Sequence, residues 1–243
     1  MNKVLAQYES KIKYSPHTLM DVGFLGRIGT KAGWDFEEDF ATDTWITNGT
    51  KVAISGGVLN WDAVANGARN TISKDVMGAV ISDTTWILRY KLIIDQITNP
   101  TSETQIFQFG FSDDTADIGA AGVFDFLGFG LWNTSAGSLE LVSKHENETW
   151  LAGSIRDILA TAMSVTTHFV EQIRTTATNL DTSLSSTDAF TKDTEATVSI
   201  TVLSAIDNLR HLSGAVWNRG AIGSGHDGTI DDVQFNDATT EPS

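Results

Sequence analysis

Apolar side chains recur at every second position over much of the chain, the period of a strand with one buried face. The clearest run is 85–94, where Trp86, Leu88, Tyr90, Leu92 and Ile94 share one face and Ile87, Arg89, Lys91 and Ile93 the other. One face therefore belongs to a core and the second is mixed. In the run 105–111, Phe107, Phe109 and Phe111 likewise fall together. The stretch 123–132 is apolar on both faces apart from Asp125, which predicts a central strand covered on both sides.

From Trp34 onward the same reasoning predicts strands at 34–40, 44–47, 50–54, 58–62, 69–73, 85–94, 104–111, 123–132, 138–143, 167–174, 178–184, 195–202, 209–217 and 228–235. Clusters of Gly, Asn, Asp and Ser separate them. The rhythm breaks once. Ile155, Ile158, Leu159 and Met163 recur at helical spacing, so a short helix is expected within 151–164. Many strands with turn signals between them predict an all-β sandwich or jelly roll.

Two acidic stretches interrupt the apolar pattern. In Gly228-Thr229-Ile230-Asp231-Asp232-Val233-Gln234-Phe235 two adjacent carboxylates sit within a strand-like run. They need a partner, either a metal ion or hydrogen-bond donors, because an unpaired buried charge is costly. Trp34-Asp35-Phe36-Glu37-Glu38-Asp39-Phe40 alternates aromatics with acids, and pairing it with the last strand would close a sandwich. Residues 1–32 show neither period but carry Lys3, Lys11, Lys13, Arg27 and Lys31. They read as an extended N-terminal arm that docks on neighbouring molecules or on its own domain.

Composition narrows the classes. Apolar residues are 41% and charged residues 19%, below the usual values of about 45–50% and about 25%. Thr, Ser, Asn and Gly fill the difference, as in turn-rich β-proteins. The net charge of −15 repels phosphate backbones, so no nucleic-acid partner is expected. The plain reading of that charge is a solvated surface, and the sharper one is that some carboxylates bind Ca²⁺. Without cysteine, disulfides, thiolate metal sites and thiol catalysis are excluded. Residues 1–8 lack the apolar core of a signal peptide and no run has the length of a membrane-spanning helix. No membrane insertion is expected, and release from a cell is expected by lysis or within a particle.

The runs 34–40, 82–91 and 228–235 together resemble concanavalin A-like lectin/glucanase domains, particularly the laminin G-like branch. The resemblance covers about 34–236. It implies a two-sheet antiparallel jelly roll whose first and last strands are neighbours, often tied by calcium. Carried onto this chain, Glu38 or Asp39 and Asp231 or Asp232 are the implied ligands. Related glucanases carry Glu-x-Asp-x-x-Glu on one strand, and this chain has no such run. Glu140, Glu146, Glu148 and Glu171 lack an alternating carboxylate, so a glycosidase with the usual pair of acids is not expected.

Sugar binding calls for aromatic faces beside planar polar groups. Trp86 and Trp34 alternate with apolar residues and read as core, whereas Trp61, Trp132, Trp150 and Trp217 lie beside Asn, Asp, Glu, Thr or Arg and are the glycan-binding candidates. Trp45 sits at a strand end too. Asp113, Asp114 and Asp117 read as a solvated turn. His17, His145, His168, His211 and His226 are scattered without a catalytic motif.

The expected organisation is an arm at 1–32, a jelly roll at 33–237 and a tail at 238–243. The first functional expectation is a non-catalytic structural or adhesion protein of an extracellular assembly such as a virion, held to copies of itself or to other assembly proteins. The alternative is a lectin-like carbohydrate-binding module. Third comes a glycoside hydrolase lacking the usual acid motif.

Overall fold

The computed structural model describes residues 34–41, 44–63, 70–76, 81–98, 104–114, 125–134, 138–146, 155–185, 196–202, 206–216 and 225–237. In chain order the strands are β1 Phe36–Glu38, β2 Ile46–Asn48, β3 Val52–Ser55, β4 Val58–Asp62, β5 Asn70–Asp75, β6 Trp86–Gln96, β7 Thr104–Ser112 and β8 Phe126–Asn133. They continue with β9 Leu139–Glu146, β10 Ile155–Ala160, β11 Thr167–Thr176, β12 Asn179–Ser185, β13 Ala196–Thr201, β14 His211–Val216 and β15 Asp227–Asn236. All lie within 35–241, one compact unit. The arm at 1–32 and the tail at 238–243 are outside the described residues.

Two antiparallel sheets make a sandwich. Sheet A runs β13-β12-β11-β6-β15-β4-β3, with β1 also paired to β15, and sheet B runs β10-β9-β8-β7-β14-β5-β2. The core forms where the alternating apolar faces meet. Trp86, Leu88, Tyr90 and Leu92 of β6 are wholly buried, as are Phe107, Phe109 and Phe111 of β7. Rings interlock across the gap: Trp61 stacks on Phe107 at 5.0 Å, Tyr90 on Phe129 at 5.2 Å, and Phe111 meets Phe235 edge-on at 4.9 Å. Such pairs add about 0.5–1.5 kcal/mol each beyond their burial.

The first and last strands pair as expected, with Phe36 opposite Phe235 and Glu38 opposite Val233. The same edge of β15 serves two partners in turn, β4 along Asp227–Ile230 and then β1 from Val233. The handover falls on a bulge between Asp231 and Gln234, where Asp232 has φ 47°. Aspartate tolerates that left-handed conformation better than a β-branched residue. The adjacent carboxylates thus mark a bulge in the last strand.

The helix expected within 151–164 is not there, because 155–160 form strand β10. β10 bulges between Ile158 and Ala160 against β9. The extra residue puts exposed Ile158 next to buried Leu159 and breaks the two-residue alternation. Apolar positions spaced three and four apart then mimic a helix.

Candidate functional site

The outer face of sheet B carries a polar cluster where a second apolar layer might be expected. On β8 the outward positions are Phe126, Gly128, Gly130 and Trp132, opposite Glu146, Lys144, Val142 and Glu140 of β9. On the other side of β8, Gly130 faces Gln108 and Trp132 faces Gln105 of β7. The two glycines leave a bare floor. A Cβ on Gly128 would lie 2.4 Å from the Phe109 carbonyl oxygen, and one on Gly130 would touch Lys144 Cδ at 3.4 Å. The lysine stem lies across that floor.

Lys144 Nζ donates to Glu146 Oε1 at 2.6 Å, Gln105 Oε1 at 2.9 Å and Gln108 Oε1 at 3.0 Å. Gln105 Nε2 closes the network on Gln108 Oε1 at 2.7 Å. The ammonium also stands 5.8 Å from the centre of the Phe126 ring. All four polar side chains are buried, while Trp132 and Glu140 on the same face are half-buried. Gln108 Nε2 and Glu146 Oε2 are buried without a hydrogen-bond partner. Each such atom costs about 1–3 kcal/mol. The sequence shows no sign of this cluster, because its members are 39 residues apart and only strand pairing joins them.

The tryptophans expected at a sugar site separate. Trp61 is a core residue, 1% exposed and stacked on Phe107, because its position in β4 faces the interior. Trp132 lies on the outer face beside the cluster. Trp150 and Trp217 lie outside the described residues. Trp45 is in the core against Phe40, Trp86 is wholly buried, and Trp34 is half-buried.

The four carboxylates expected to hold calcium do not converge. Glu38 is buried between the sheets, where it accepts from the Phe40 amide at 2.8 Å and pairs with Lys74 of β5. Lys74 also lies 5.6 Å from the Phe36 ring centre and 5.8 Å from that of Trp45. Asp39 is exposed and accepts from the Ala41 amide, Asp231 accepts from the Asp232 amide, and Asp232 pairs with Lys91. Two ammonium groups occupy the places a cation would take. Among the described residues no group of three or more His, Asp or Glu side chains could hold a metal ion. The link between first and last strands is made by hydrogen bonds instead, Gln234 Nε2 to Glu37 Oε1 at 3.3 Å and the Asp237 amide to Asp35 Oδ2 at 2.8 Å.

Two histidines stand in perturbed surroundings. His226 is wholly buried just before β15, neither ring nitrogen has a partner, and burial lowers its pKa to about 4. His211 faces Asp75 on one side and Ser112 on the other. Burial lowers its pKa, against the attraction of Asp75. Ser112 donates to the Asp114 carbonyl at 2.7 Å and contacts Ser213 Oγ at 2.7 Å, so its proton is not held by the imidazole. Of the acid-rich turn, Asp113 accepts from the Asp125 amide at 2.8 Å, and Asp117 lies outside the described residues.

This architecture is the concanavalin A-like jelly roll, and the solved structures it resembles bear that out. The exoplasmic/lumenal domain of VIP36, solved with Ca²⁺ and Man3GlcNAc, matches with a TM-score of 0.54 and 10% identity over 86% of this chain and 91% of that one. The CBM2 module of the evolved Dit of Lactobacillus casei BL23 phage J-1 gives 0.53 and 10%, over 84% and 95%. The carbohydrate esterase vb_24B_21 of Shiga toxin-encoding bacteriophage phi24B gives 0.53 and 12%, over 84% and 98%. No protein-family model and no curated protein matches the chain.

Proposed function

We propose that the protein is a non-catalytic carbohydrate-binding module that takes its ligand on the outer face of sheet B. The observation that carries this reading is the Gln105–Gln108–Lys144–Glu146 cluster beside Trp132. Planar amides and a carboxylate suit sugar hydroxyls, and an indole suits the C–H face of a sugar ring. The buried atoms without partners hold a penalty that a hydroxyl would relieve. The VIP36 and phage J-1 structures lend support, since the first is of a protein with bound Man3GlcNAc and the second of a CBM2 module.

Binding is favoured over hydrolysis by the placement of the acids. Glu140 and Glu146 share the outer face of β9 but stand six residues apart, roughly 20 Å along a strand. A glycosidase pair needs about 5–9.5 Å. Ester cleavage in the manner of the phage phi24B protein would need an activated hydroxyl, and Ser112 is turned to a carbonyl.

The test is titration with a panel of neutral and acidic oligosaccharides, followed by tryptophan fluorescence and calorimetry. At least one is expected to bind, and Trp132→Ala should weaken it at least tenfold without lowering the melting temperature. No binding at millimolar concentration across the panel refutes the reading. A second reading, an adhesion or structural part of a virus particle, draws on the likeness to two phage proteins and on the basic residues of 1–32. It predicts a defined oligomer by light scattering, and a monomer near 26.3 kDa counts against self-assembly.

A further inference from the structure

The hydrogen bonds within the cluster decide which atoms remain for a ligand. A lysine ammonium has three N–H donors, and those of Lys144 are met by Gln105, Gln108 and Glu146 at 2.6–3.0 Å. Gln108 Oε1 accepts from both Gln105 Nε2 and Lys144 Nζ, which fixes the amide orientation and leaves Nε2 as the outward group. Glu146 gives Oε1 to the lysine and keeps Oε2. One donor and one acceptor thus remain, both on groups held by the same ammonium.

A hydroxyl matches that pair, because it can accept from Gln108 Nε2 and donate to Glu146 Oε2. A uronate or sulfate oxygen only accepts. It would meet a like-charged carboxylate and find the lysine's donors already engaged.

Taking the saccharide reading above as its basis, we propose that Glu146 determines the ligand class. By neutralising Lys144 and presenting a bare carboxylate oxygen, it holds the site to neutral, hydroxyl-bearing sugars and rejects acidic ones. Specificity of this kind is a repulsive element built beside an attractive one.

The test compares trimers that differ only in oxidation at C6: mannotriose with trimannuronate, and galactotriose with trigalacturonate, by calorimetry on the full chain. The expected result is at least tenfold tighter binding of the neutral member in one pair. Glu146→Gln removes the repelling charge and leaves Lys144 without its counter-ion, so the neutral-to-acidic ratio should fall at least tenfold. Should that variant fail to fold, Gln108→Leu frees one lysine donor and removes the hydroxyl's donor, shifting the ratio the same way. Tighter binding of the acidic trimer by the native protein overturns the inference while the saccharide reading stands. An unchanged ratio in a folded variant also overturns it. Binding of none of the four removes the inference and counts against the saccharide reading as well.

Discussion

His226 should make the protein lose stability as pH falls from neutrality. Its ring is wholly buried with no partner on either nitrogen, and burial lowers its pKa from the ordinary 6.5 to about 4. In the folded protein the imidazole therefore stays neutral down to about pH 4, whereas in the unfolded chain it takes a proton below about 6.5. Between those limits the unfolded state binds more protons, so stability rises with pH across the window. The stabilisation is complete above about 6.5 and fully lost below about 4. At about 1.36 kcal/mol per pH unit the ceiling is about 3 kcal/mol, and screening by nearby solvent reduces the expected loss to about 2. Asp83 and Asp227 work in the opposite sense, since burial raises both carboxyls and their folded forms hold protons longer. The measurement must therefore isolate the histidine. Urea unfolding of native protein and His226→Leu at pH 7.5, 6.5, 5.5 and 4.5 does so. The stability gap between the two should move by about 2 kcal/mol in favour of the variant between pH 7.5 and 4.5. A gap that stays constant within about 0.5 kcal/mol refutes the account.

Other substitutions probe the core and the strand junction. Trp61→Ala should cost about 3–5 kcal/mol by emptying the space against Phe107, while Trp132→Ala should cost under about 1 kcal/mol in the same denaturant titration. Tyr90→Phe removes a buried hydroxyl without a partner, so stability should hold or rise by about 1 kcal/mol; a fall of that size would show the hydroxyl to be bonded. Glu38→Gln strands the Lys74 ammonium between the sheets and should cost about 2–3 kcal/mol. That loss should be equal in chelator and in millimolar Ca²⁺, and a loss seen only with Ca²⁺ would assign the carboxylate to a metal.

The fold was legible because burial in a sandwich imposes a period of two. Trp86 to Ile94 and Phe107 to Phe111 show it plainly, and their faces are the two halves of the core. The period fails where the backbone departs from regular pairing. In β10 one bulge residue converted alternation into apparent helical spacing. In β15 another bulge gave two adjacent aspartates the look of a ligand pair, when the local need was a residue that accepts φ 47° beside Lys91. Both misreadings have one cause: a bulge shifts the phase of side-chain direction, and sequence spacing alone cannot register the shift.

The site was less legible because polar residues lack a phase of their own. Trp61 and Trp132 each sit beside polar neighbours in sequence, yet β4 aims one inward and β8 aims the other outward. The distinction follows from register, which the flanking Leu59 and Leu131 already encode. Leu59 and Trp61 share a face of β4 with the core, whereas Leu131 and Trp132 are adjacent and must diverge. A tryptophan two residues from a core leucine belongs with it; one residue away, it belongs outside. Lys144 gives no such clue. Its neighbours Val142 and Glu146 share its face, one apolar and one charged, and only the glycines of β8 across the strand pair leave room for its stem to reach β7. Gly128 and Gly130, unremarked in the linear pattern, are thus the residues that make the cluster sterically possible. A methyl at Gly130, 3.4 Å from Lys144 Cδ, would crowd the stem and disturb the three hydrogen bonds of its ammonium.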